Sequence, residues 1–174
     1  ATDLTPHEVT LAWSIATDDV GVSTYQIREG NTLMGESEQT TFTVGGLNPW
    51  TEYTFTVHAR DAAGNATETF LSVTTQTLDS VAPSWEVSDQ LSAQNITPTS
   101  MTLIWPAATD DVAVVTYRVF QDDQLIASLD RETTHLDLEG LSPWTLYAFQ
   151  VKAVDAAENS SPMGLTLAQR TSDN

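Results

Sequence analysis

The sequence predicts an all-β protein made of two tandem seven-stranded Greek-key antiparallel β-sandwiches, the first lacking most of its first strand. Three observations carry this. First, the chain repeats itself: "VTLAWSIATDDVGVSTYQI" (9–27) faces "MTLIWPAATDDVAVVTYRV" (101–119), and "GLNPWTEYTFTVHARDAAGN" (46–65) faces "GLSPWTLYAFQVKAVDAAEN" (140–159). A repeat of this period needs two copies of one structural unit. Second, apolar and polar residues alternate with period two, the spacing of a half-buried strand. Third, turn signals recur every ten or so residues and no helical segment intervenes, which favours a sandwich.

The elements follow in order. Val9, Leu11 and Trp13 face one way and Thr10 and Ala12 the other, giving a strand over 8–14. Strands over 22–29, 31–34 and 40–45 follow, rich in Val, Thr and Tyr. Tyr53, Phe55, Val57 and Ala59 alternate with Thr54, Thr56 and His58, giving 51–60, and 67–76 closes the first half. The second half gives 91–96, 100–105, 114–121, 124–128, 133–138, 145–154 and 163–171. The strand at 91–96 has only the stub "ATDL" as its counterpart in the first half. The repeat offset grows by two residues between Tyr25/Tyr117 and Gly46/Gly140, which places a length change in an edge loop. The predicted domains are 1–78 and 84–174, joined by a short linker over 79–83. That linker lies within "TLDSVAPSW" (77–85), where Pro83 fixes φ and biases Ala82 to an extended shape.

Trp in the second strand, Tyr in the third, "GL-x-P-W-T-x-Y" and "A-x-D-A-A-x-N" together resemble fibronectin type III domains, most similarly those of secreted bacterial and archaeal proteins. The resemblance covers both halves. It implies that Trp13 and Trp105 are core residues packed against Tyr25 and Tyr117. It also implies that Tyr53 and Tyr147 form tyrosine corners, their hydroxyls bonded back to the backbone. It further implies a non-catalytic fragment of a larger extracellular protein, secreted or at the cell surface.

Composition narrows the function. The chain has 174 residues, a formal charge of −18, 24 acids and six bases, of which Lys152 is the only lysine. Such charge repels nucleic acid and anionic membranes and suits a solvated surface, high salt, or cation binding; the chain is expected to be a monomer. The absence of cysteine excludes disulfides, thiolate zinc sites and cysteine catalysis. No apolar run approaches the roughly 18 residues of a membrane span. No basic-then-apolar start reads as a signal peptide, and the chain opens at Ala1 as a piece of a longer protein would. Three histidines are present. His58 falls on the outward phase of its strand and His135 near the inward phase; none stands near a nucleophile, and no phosphate loop occurs.

The acidic loops are the candidate site. In a Greek-key sandwich the loops after the second and sixth strands share one end. Asp18, Asp19, Asp61 and Asn65 are therefore expected to approach one another, and likewise Asp110, Asp111, Asp155 and Asn159, with Asp79 of the linker joining the second group. An all-oxygen set suits Ca²⁺, which takes 6–8 oxygens, and an ion there would stiffen the loop poles and the domain joint. The alternative makes Asp61 and Asn65 turn-formers, with Gly64 at positive φ, and the TDD acids solvated charges. Trp50 and Trp144 stand where the resembled family more often has Gly. With Trp85 they raise sugar stacking, against packing of Trp50 on the linker and Trp85 at the domain joint. The reading is a spacer and presentation module whose partners are neighbouring domains of a larger chain. The alternative is a carbohydrate- or protein-binding accessory module of a secreted enzyme or adhesin, its partner a polysaccharide or cell-surface protein.

Overall fold

A computed structural model of the chain describes residues 1–67 and 70–173. The chain divides into two units, Ala1–Asp79 and Ser80–Asn174. Every described regular element is a strand, and no helix among the described residues is long and apolar enough to cross a membrane.

The first unit holds β1 (Glu8–Ala12), β2 (Val22–Glu29), β3 (Thr32–Ser37), β4 (Thr41–Gly45), β5 (Glu52–Asp61) and β6 (Leu71–Gln76). Residues 68–69 of the expected 67–76 strand lie outside the described residues. β1 pairs with β4, and β3-β2-β5-β6 form a four-stranded antiparallel sheet. Period-two alternation decides which side chains enter the core. On β1, Val9 and Leu11 are buried while Glu8 and Ala12 are exposed, and they meet Val44 and Phe42 across the ladder. Ile27, Phe55, Val57 and Ala59 complete that core from the other sheet. The "ATDL" stub does pair, weakly. Leu4 bridges Val9, and Thr2 and Asp3 exchange backbone hydrogen bonds with Thr10 at 2.9 Å.

The second unit holds β7 (Ser92–Gln94), β8 (Ser100–Ile104), β9 (Val114–Gln121), β10 (Gln124–Asp130), β11 (His135–Glu139), β12 (Leu146–Asp155) and β13 (Leu165–Arg170). Its sheets run β11-β8-β7 and β10-β9-β12-β13, all antiparallel. The core gathers Met101, Leu103, Trp105, Tyr117, Val119, Phe149 and Val151. The two-residue length difference falls beyond the β10 edge strand, in the turn 131–134. Corresponding residues hold matching registers up to that point: Tyr25 pairs Ser37 in one unit and Tyr117 pairs Leu129 in the other.

Both tyrosine corners are present. Tyr53 Oη accepts the Asn48 N–H at 3.0 Å and Tyr147 Oη the Ser142 N–H at 2.9 Å. Trp105 is buried and meets Tyr117 edge-on, with centroids 5.9 Å apart; Trp13 meets Tyr25 the same way at 5.4 Å but is only half-buried. One phase assignment is corrected. His135 faces outward and is exposed, because Leu136 and Leu138 are the β11 residues that pack on the core.

Candidate functional site

Each "ATDDV" is positioned by the tyrosine that follows it. Tyr25 Oη accepts the Ala16 N–H at 3.0 Å, and Tyr117 Oη accepts the Ala108 N–H at 2.9 Å. Both tyrosines are buried core residues of β2 and β9. Their hydroxyls therefore hold the loop start at a fixed height above the core, which explains the constant interval between motif and Tyr. The first Asp of each pair then folds the loop. Asp18 Oδ1 accepts the N–H groups of Val20 and Gly21, both at 2.9 Å. Asp110 Oδ2 accepts those of Val112 and Ala113, at 3.1 and 2.9 Å. A short carboxylate closing a loop this way substitutes for a backbone turn bond. The second Asp of each pair, Asp19 or Asp111, is exposed.

The loops after β5 and β12 are built alike. Asp61 accepts the Asn65 N–H at 2.8 Å and its side-chain amide at 2.6 Å; Asp155 accepts the same two groups of Asn159, both at 2.8 Å. Each Asn thus turns its amide nitrogen toward the carboxylate. The turn needs one residue at positive φ, supplied by Gly64 (φ 90°) and by Glu158 (φ 67°). Glu158 keeps the turn despite its side chain, and its carboxylate reaches Arg118 on β9 at 2.6 Å. The Asn65 side-chain bond chiefly holds the Asp61 carboxyl below the usual carboxylate range. Desolvation opposes it, and backbone bonds from Asn65, Ala63 and Gly64 assist.

The loops converge as the topology requires, though not with every acid. In the first unit Thr17, Asp18, Asp61 and Asn65 line one shallow cleft of ≈ 100 Å³, and Asp19 is not among its walls. In the second, a carboxylate oxygen of Asp110 and one of Asp155 lie within 4.8 Å of each other. Asp155 is fully buried, and Asp110 Oδ1 is buried without a hydrogen-bond partner. Asp111 points away into solvent. Asp79 closes the first unit and is buried. Two carboxylates at that separation repel by on the order of 3 kcal/mol at an effective dielectric near 20.

The aromatic candidates divide. Trp85 packs on the second unit's own core. Its ring stacks on Tyr117 at 6.3 Å and its Nε1–H donates to the Pro106 carbonyl at 3.0 Å. Trp50 and Trp144 sit in the left-handed region, at φ 47° and 51°. Trp50 donates its N–H to the Leu78 carbonyl at 3.2 Å, which ties that corner to the end of the first unit. Trp144 stays 61% exposed with the Arg170 guanidinium 5.0 Å from its ring centroid. Sequence reasoning missed Thr77 and Thr171. Each is buried and bridges the corner: Thr77 Oγ1 donates to the Asn48 carbonyl at 2.6 Å and accepts the Thr51 N–H at 2.9 Å, and Thr171 repeats this with Ser142 and Thr145. Their signal was their matching place in the two repeats, 94 residues apart.

The family model for the Fibronectin type III domain matches residues 1–75 and 81–166. The chain is 38% identical to chitinase A1 of Niallia circulans over 98% of its own length and 25% of that protein. It is 36% identical to exoglucanase B of Cellulomonas fimi over 96% of its length and 16% of that protein. The chain therefore spans a quarter or less of these relatives. Among solved structures, a two fibronectin type III domain segment from chicken tenascin aligns over 98% of this chain and 95% of its own, with 19% identity and a TM-score of 0.44.

Proposed function

The chain belongs to the fibronectin type III family, and from that membership we propose that it is a spacer and presentation module in a larger extracellular protein. It holds a catalytic or substrate-binding neighbour at a working distance. Modules of this family are non-catalytic, and the relatives named above carry such a segment as a minor part of an enzyme's length. The observation that carries the reading is where the polar investment lies. The Tyr, Thr, Asp and Asn side chains that recur in both repeats spend their hydrogen bonds on their own backbone, at corners and loop ends. That is the pattern of a unit built to keep its shape. The test inserts the chain between a polysaccharide-hydrolysing domain and a carbohydrate-binding domain, beside fusions with no insert or a Gly/Ser linker of equal residue count. A spacer leaves hydrolysis of soluble substrate alone and raises hydrolysis of the insoluble polymer above both controls. Equal rates on the insoluble polymer would overturn it.

A second reading rests on one observation, the buried, unpartnered Oδ1 of Asp110 beside the buried carboxylate of Asp155. We propose a weak Ca²⁺ site at that pole, with Asp110 and Asp155 as ligands. The first unit, where Asp18 and Asp61 line the matching cleft, would bind more weakly. Extracellular modules bind Ca²⁺ with Kd of about 10⁻⁴–10⁻³ M, and binding at 100 times Kd adds roughly 2.7 kcal/mol to stability. Millimolar Ca²⁺ is expected to raise the Tm of the second unit above that in Na⁺ at matched ionic strength, and Asp155→Asn to abolish the rise. Equal Tm in the two salts would remove the site.

A further inference from the structure

The two sandwiches differ on the outer face of their four-stranded sheets. In the second unit one rung of that face runs Leu125–Phe120–Gln150–Thr166 across β10, β9, β12 and β13, and Ala148 pairs with Ala168 on the next. A hollow of ≈ 270 Å³ opens there, and its lining includes Phe120, Asp123, Ala148, Gln150, Thr166 and Ala168. Leu125 and Leu146 on the same face are more than half exposed. At the positions of Phe120, Leu146, Ala148 and Ala168 the first unit carries Arg28, Glu52, Thr54 and Thr74. Arg28 donates to the Asn31 carbonyl at 3.1 Å, and the Thr54 and Thr74 hydroxyls bond each other at 2.8 Å, so that face is polar and bonded within itself. Phe, Leu and two Ala in their place leave the second face apolar, the composition of a contact surface. Its rim is cationic. Arg118 pairs with Lys152 across the ladder, and Arg170 with Leu146. These are three of the chain's six bases, and Lys152 makes no ion pair among the described residues.

The same unit carries a matching shape elsewhere. Residues 86–89 form a tight turn: the Asp89 N–H donates to the Glu86 carbonyl at 3.0 Å, and the Glu86 N–H to Asp89 Oδ2 at 2.9 Å. Trp85 before the turn stacks on Tyr117 and Leu91 after it is buried, so the turn is held at both ends. Val87 on the turn is fully exposed, between the exposed Glu86 and the carboxylate of Asp89. It is an apolar knob flanked by acid, where the hollow is an apolar recess flanked by base.

We propose that the hollow receives the Val87 turn of a second copy of this chain. The Val87 side chain enters beside Phe120 and covers Ala148 and Ala168, with Glu86 toward the Lys152 side of the rim. Knob and hollow are different surfaces, so the contact is heterologous and runs head to tail instead of closing on a two-fold axis. Apolar contact supplies the attraction and the charged rim sets its orientation. The net charge of −18 opposes the contact, which confines association to concentrated protein.

The test is sedimentation of the full chain from micromolar to millimolar concentration at physiological ionic strength. Four samples are compared: the unaltered chain, Val87→Ser, Ala148→Thr with Ala168→Thr, and an equimolar mixture of the two variants. All three substituted positions are exposed, and the Thr pair reproduces Thr54 and Thr74 of the first unit, so the fold and the net charge are kept. The mean mass of the unaltered chain is expected to grow with concentration and to pass that of a dimer. Each variant alone is expected to stay monomeric over the same range. The mixture holds one intact knob and one intact hollow, and is expected to form dimers and nothing larger. An unaltered chain that stays monomeric at the highest concentration would overturn the proposal. So would association that survives either variant, or a mixture that stays monomeric.

Discussion

Asp18 and Asp19 are neighbours with opposite roles. Asp18 closes its loop with two backbone bonds, while Asp19 is exposed. Asp18→Ala is expected to lower stability by about 1 kcal/mol, and Asp19→Ala to stay within about 0.5 kcal/mol. Denaturant unfolding measures both, and equal losses would contradict the assignment. The repeated "TDD" showed that acid is needed at this point. It could not show which Asp bonds inward, because that depends on the direction each side chain takes once Tyr25 has fixed the loop start. Asp61 adds a pH dependence. Its folded carboxyl titrates below its unfolded value of about 3.9, because Asn65 donates to the ionised form. The stabilisation is thus present above that value and is lost as pH falls through the lower, folded one. In an NMR titration Asn65→Ala is expected to move the Asp61 midpoint upward; an unchanged midpoint would contradict the hydrogen-bond cause.

At the scale of elements, alternation located the strands well. β2 and β9 fall at 22–29 and 114–121 as the sequence predicts, and β5 and β12 are displaced by one residue. The short edge elements were less legible. The 31–34 strand runs on to Ser37, since pairing with β2 continues past a bulge at Ile27/Arg28. His135 was assigned the wrong phase; Leu136 and Leu138 carry the apolar phase of this strand, which leaves His135 on the outward one. The difference between the two tryptophans was out of reach, since it depends on what covers them. Trp105→Ala is expected to cost about 3–5 kcal/mol. Trp13→Ala is expected to cost less, because part of that ring already faces solvent. Chemical denaturation resolved by unit checks this, and a larger loss for Trp13 would contradict it.

At the scale of the whole molecule, charge and purpose meet. Two ion pairs among the described residues, Arg118–Glu158 and Arg131–Glu132, each have an exposed acidic partner. They offset little of the −18. Added NaCl screens the remaining repulsion, with a Debye length near 8 Å at physiological ionic strength and about 3 Å at 1 M. Tm is expected to rise from low salt to about 1 M, and a flat or falling trend would contradict an acid-burdened surface. The proposed spacer role was legible only through family resemblance, because a sandwich hosts many functions. The exposed Trp144 with Arg170 is the feature that a capture role would use. Co-sedimentation of the chain with insoluble chitin and with cellulose separates the two roles directly. A spacer leaves the same amount of chain in the supernatant with polymer as without it, and Trp144→Ala changes nothing. Saturable depletion from the supernatant, abolished by Trp144→Ala, would contradict the account.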